Sequence, residues 1–198
     1  MIINRLSRVG VSRLLLVISL MISVTDTYAI SILQTSPLGY TNGGTSILSG
    51  PTTQFLGVKF LLDQSYQITR LSGHVKGYSN TDTSLFVAIN RLDTTTGLPT
   101  DVSLSDALYT NTFDAPSNDI GPYPYQVAPT YFDTSFILEA GSYSIMFGSG
   151  LFGATGSGWM PIASTSYGSQ DYFLMGSYTG MLEFHDIDYQ PAHFLVEG

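Results

Sequence analysis

From residue 30 onward, short runs rich in Val, Ile, Phe, Tyr and Thr alternate with clusters of Gly, Pro, Asn, Asp and Ser, and no stretch sustains a helical repeat over three turns. Side chains alternate between two faces in a strand and gather on one stripe in a helix, so this pattern constrains the chain to an all-β fold. Strands are expected over residues 55–62, 66–75, 84–92, 107–113, 131–138 and 142–147, with further ones around Trp159 and over 172–175, 181–184 and 193–196. Residues 84–92 carry apolar side chains on both faces: Leu85, Val87 and Ile89 against Phe86, Ala88 and Leu92. That pattern predicts a central strand covered on both sides. In 142–147, Tyr143, Ile145 and Phe147 point one way and Ser142, Ser144 and Met146 the other. Turns are expected at Asp63-Gln64-Ser65, at 93–99 and at Glu139-Ala140-Gly141, and a long proline-rich loop over 111–125. Eight to ten such strands make a two-sheet antiparallel β-sandwich of jelly-roll-like form.

The first 29 residues follow different rules. Arg5, Arg8 and Arg13 precede an apolar run at 14–24, and Thr27-Tyr28-Ala29 closes it with small residues at −3 and −1, the layout of a secretory signal peptide. An apolar run of that length is well short of the ~20 residues a spanning helix needs. Residues 30–198 are then expected to form one domain, secreted to the periplasm or beyond, with no stable membrane anchor. No cysteine occurs in the chain, which excludes disulfides, thiolate-bound zinc and thiol nucleophiles.

Without the leader, four basic residues (Lys59, Arg70, Lys76, Arg91) face fourteen acidic ones, a formal charge of −10. Nucleic acid and anionic membrane surfaces are unsuitable partners for such a chain. Neutral ligands and divalent cations suit it, and so does plain solubility outside the cell.

Three motifs bear on chemistry. Gly148-Ser-Gly-Leu-Phe-Gly153 matches G-x-G-x-x-G after a strand, but Ala154-Thr-Gly-Ser-Gly-Trp-Met-Pro161 cannot open the helix a dinucleotide site requires, so a glycine-rich turn is expected. Glu183, His185, Asp186 and Asp188 read as a solvated hairpin end or as a divalent-cation site, the carboxylates suiting a structural calcium and the mixed His and carboxylate set a transition metal. Residues 183 and 185 share one face of a strand and 186 and 188 the other, so they converge only if the chain turns between 185 and 188. The same acids carry the alternative reading, a polysaccharide hydrolase. Tyr123, Tyr125 and Tyr131 flank the proline loop, and Trp159, Tyr167, Tyr172 and Tyr178 follow the glycine-rich segment. Tyr123, Tyr125, Trp159 and Tyr172 are the residues expected to stack on sugars if they are exposed; core filling is the competing role. His74, beside Gly73 within an expected strand, reads as packed or surface-exposed rather than catalytic. Nothing favours a nucleophile triad, and no catalytic residue is assigned.

The segment running from Phe136 through Leu138-Glu-Ala-Gly141-Ser-Tyr143 and Gly148-Ser-Gly-Leu-Phe-Gly-Ala-Thr-Gly-Ser-Gly158 to Pro161, with Arg91-Leu-Asp-Thr-Thr-Thr-Gly-Leu-Pro99 and Phe194-Leu-Val-Glu-Gly198, resembles bacterial exported β-sandwiches of the PEP-CTERM or choice-of-anchor type. The resemblance implies a secreted sandwich in the cell envelope or matrix and carries over no catalytic residues. The Pro-Glu-Pro sorting signal of that group is absent. The expected function is a non-enzymatic structural or ligand-binding module, with a neutral glycan as ligand.

Overall fold

The computed structural model describes residues 29–37, 45–48, 54–78, 82–117, 128–163, 166–167, 170–177, 182–187 and 192–198. They form β1 (Ser31–Gln34), β2 (Thr45–Leu48), β3 (Gln54–Leu62), β4 (Tyr66–Gly73), β5 (Lys76–Gly77), β6 (Ser84–Arg91), β7 (Tyr109–Asp114), β8 (Thr130–Leu138), β9 (Gly141–Ser149), β10 (Gly158–Pro161), β11 (Tyr172–Ser177), β12 (Leu182–Ile187) and β13 (Phe194–Glu197). No helix occurs among the described residues. A four-stranded sheet runs β1-β13-β4-β8 and a six-stranded sheet β12-β11-β3-β9-β6-β7, with a small third sheet β2-β10-β5, and all the pairings are antiparallel. The protein is an all-β sandwich, with thirteen described strands rather than the eight to ten expected.

The topology follows from a nested crossing. β3 and β4 are consecutive but lie in opposite sheets, as do β8 and β9; β3 pairs with β9 and β4 with β8, so one antiparallel ribbon folds over the core. That fold-over is jelly-roll-like. The two ends of the domain also meet, because Ile30 N–H donates to Gly198 O at 2.7 Å and Gly198 N–H to Ile30 O at 2.9 Å.

The core between the sheets is the sum of one face of each strand. Leu71, Phe132, Phe194 and Val196 of the four-stranded sheet meet Val58, Leu85, Val87, Ile89, Tyr143, Ile145 and Phe147 of the six-stranded one. Burying each Leu, Val, Ile or Phe contributes about 1.5–3 kcal/mol. Phe147 is a hub, with ring centroids 5.7 Å from Phe194 and 6.0 Å from Phe132. Its ring lies on the backbone of Gly73, where a Cβ would come within 2.6 Å of it. At one side β7 and β8 are edge strands of the two sheets, and Tyr109 stacks on Phe136 at 5.2 Å while Phe113 meets Phe132 at 4.7 Å, closing the sandwich.

The second face of the six-stranded sheet is buried as well. Phe55, Phe86, Ala88, Met146, Phe173 and Met175 lie under Leu98, Val102, Leu104, Ala107, Leu151 and Ala154 of the two connections that follow β6 and β9. The two-sided apolar pattern of 84–92 has this cause: Leu85, Val87 and Ile89 face the other sheet, and Phe86 and Ala88 face the roof. The roof is stiffened by carboxylates that cap their own turns. Asp93 accepts from the amides of Thr95 at 2.9 Å and Thr96 at 2.8 Å, and the hydroxyls of Ser103 and Ser105 hold the Asp101 carboxyl down at about 2. Gly148-to-Gly153 ends β9 in a turn with Gly150, Phe152 and Gly153 at positive φ, and no helix follows. Gly148 serves close approach, since a Cβ there would lie 2.2 Å from Cβ of Phe55, whereas Gly153 serves the positive φ.

Candidate functional site on the outer face of the four-stranded sheet

Leu71, Phe132 and Val196 point inward, so their neighbours Arg70, Ser72, Tyr131, Asp133, Leu195 and Glu197 point outward. Register sets them in rows. Arg70 is opposite Asp133 on β8 and Glu197 on β13; Ser72 is opposite Tyr131 and Leu195. One step further, the His74 N–H donates to the His193 carbonyl at 3.3 Å.

The first end of this face is open. Arg70 Nε donates to Asp133 Oδ1 at 2.9 Å, and Nη1 lies 3.5 Å from Glu197 Oε2. The guanidinium carbon is 5.5 Å from the centroid of the Tyr131 ring, which is 47% exposed. The Asp133 carboxylate, by hydrogen bond and by charge, raises the Arg70 pKa further above its usual value. Along β8, Tyr131, Asp133, Ser135 and Ile137 are all exposed, and Gln67 Nε2 donates to Ser135 Oγ at 3.1 Å. The strip is roughly 20 Å long at the rise of an extended strand. It offers an aromatic face, a fixed guanidinium, carboxylate and amide donors and acceptors, and an apolar end at Ile137.

The second end of the face is closed. Ser72, His74, His193, Thr35 and Ser36 are all buried. His193 Nδ1 lies 2.9 Å from Ser36 O and 3.2 Å from Ser36 Oγ, while Thr35 Oγ1 donates to Ala192 O at 2.6 Å and accepts from the Phe194 amide at 2.9 Å. These bonds tie the end of β1 to β13.

Of the residues expected to stack on sugars, the two that are described lie inside the fold. Trp159 and Tyr172 are only 3% and 4% exposed, so both rings are interior and neither forms a stacking surface. The Tyr172 hydroxyl donates to Ala192 O at 3.2 Å, and burial pushes its pKa up. Tyr123, Tyr125, Tyr178 and Asp188 lie outside the described residues. Glu183, His185 and Asp186 belong to one unbroken strand paired with β11 from Leu182 to Ile187, so the turn that would gather them does not occur before residue 188. Among the described residues no three His, Asp or Glu side chains form a group able to hold a metal. Two clefts of about 390 and 470 Å³ flank the 93–101 turn and share Asp93. That carboxylate is already engaged by its own turn.

Of the tyrosines flanking the proline loop, Tyr131 is described, and it is exposed. Its partner Arg70 comes from a distant strand and has no local signal. No protein-family model matches this chain, and no curated protein or solved structure is significantly similar to it.

Proposed function

We propose that this protein is an exported, non-enzymatic β-sandwich that binds a neutral glycan of the envelope or matrix on the outer face of its four-stranded sheet. The observation that carries the reading is the exposed Tyr131 ring with Arg70 held over it, flanked by Asp133, Ser135 and Gln67 along β8 and β4. Sugars present apolar C–H faces that stack on aromatic rings and hydroxyls that need donors and acceptors in the same plane. Arg70 is neutralised by Asp133 and Glu197, so the strip carries no surplus positive charge for an acidic polymer. The signal-like leader and the resemblance to exported choice-of-anchor sandwiches support the location and the absence of chemistry. The test is affinity electrophoresis and calorimetry of the protein and its Tyr131→Ala and Arg70→Ala forms against a panel of neutral polysaccharides. At least one should bind, and each variant should weaken that binding tenfold or more with unchanged melting temperature. Absence of any binding, or full binding by both variants, would sink the reading.

A further inference from the structure

The closed end of the same face holds a group that glycan binding does not use. The rings of His74 and His193 stack with centroids 4.4 Å apart and planes inclined by 30°, and both side chains are fully buried. The contact of His193 Nδ1 with Ser36 O makes that nitrogen the protonated one, since a carbonyl can only accept. Among the described residues, His193 Nε2 and both nitrogens of His74 are buried without a hydrogen-bond partner. Three of four ring nitrogens are therefore unpaired in a fold that pairs nearly all such atoms.

Among the described residues, no neighbour of the rings offers a charge to offset a proton. Thr35 and Ser36 come from the end of β1, and Ser72 and Leu195 occupy the next row of β4 and β13; all are neutral. The nearest ionisable residue along the chain is Lys76, a cation. Stacked rings aim their lone pairs side by side rather than at one point, so the pair does not make a chelate. Among the described residues no further metal-ligating side chain completes a set of three.

We infer that His74 and His193 form an acid-operated latch: acid favours the form in which the stack has opened to water and either ring can hold a proton, releasing β1 and β13 from the end of β4. Burial, and then the neighbouring His193, hold His74 down at about 3; burial holds His193 at about 4 despite its bond to Ser36. An opened or unfolded chain titrates its histidines near 6.5. Above that pH both states are neutral and the latch loses nothing. Below it the open state takes up protons that the closed state refuses, so closure weakens steadily until the rings charge in place near 4 and 3.

The latch is independent of the glycan reading and is tested without a ligand. Imidazole NMR signals of the protein are followed from pH 8 to 4, with the denaturant midpoint and the amide exchange of Phe194 and Thr35, corrected for intrinsic rates, at each pH. The rings should keep neutral shifts below pH 6 in the closed state. The midpoint should fall from about pH 6.5, and exchange at the two amides should rise tenfold or more by pH 5 while that in β3 and β9 stays level. Rings that titrate near 6.5 with those amides still protected would overturn the latch. In His74→Phe, which keeps a ring and removes two nitrogens, the fall of the midpoint with pH should be shallower. A slope equal to that of the unsubstituted protein would also overturn it; should that variant not fold, the titration of the unsubstituted protein decides alone.

Discussion

Each sheet of this sandwich has a second face, and the two are treated oppositely. That of the six-stranded sheet is apolar and roofed by the chain's own connections after β6 and β9, whereas that of the four-stranded sheet is polar, open at the Arg70 row and closed at the His74 row. The roofed face stores stability. The open face stores almost none, because exposed ion pairs and single surface rings contribute little. Surface that does not hold the fold together is free to be shaped by a ligand, and the candidate site is accordingly placed there.

The contrast can be broken by substitution. Phe86→Ala removes a ring packed against Phe55 at 5.8 Å and Phe152 at 5.2 Å under the roof, and should cost about 3–5 kcal/mol in denaturant unfolding. Gly148→Ala forces a methyl against Phe55 and should cost about 1–3 kcal/mol by the same measurement. Tyr143→Phe removes a hydroxyl that donates to Glu139 O at 2.9 Å and accepts from Arg91 Nη2 at 3.0 Å; a loss of about 1 kcal/mol is expected. Tyr131→Ala, at the open end of the other face, should change stability by less than about 0.5 kcal/mol while weakening glycan binding. If Tyr131→Ala proved as damaging to the fold as Phe86→Ala, the division between a storing face and a binding face would be wrong.

Strands with long period-two patterns were legible in the sequence, and the reason is visible in β6 and β9. Their alternation divides two real environments, so Phe86 and Met146 part from Val87 and Phe147 as the residue order predicts. β1, β2 and β5 were not anticipated, because four or two residues are too few to display a period. Trp159 and Tyr172 proved interior rather than exposed for a related reason. Burial of Trp159 and Tyr172 depends on partners from distant strands, such as Ala192 beside Tyr172, and residue type alone does not separate a ring that fills a core from one that meets solvent. The Arg70–Tyr131 contact and the His74–His193 stack had no local signal at all. Arg70 and Tyr131 are diagonal neighbours in adjacent rows and His74 faces His193, placements that only sheet register produces.

The place of β13 in the order of strands has a kinetic consequence. It lies between β1 and β4, and among the described residues β1 has no other partner in its sheet, so the four-stranded sheet stays incomplete until β13 has arrived. Folding must then wait for contacts between the two ends of the domain, the slow regime of high contact order. The outer face of the four-stranded sheet is accordingly completed late, when β13 docks between β1 and β4.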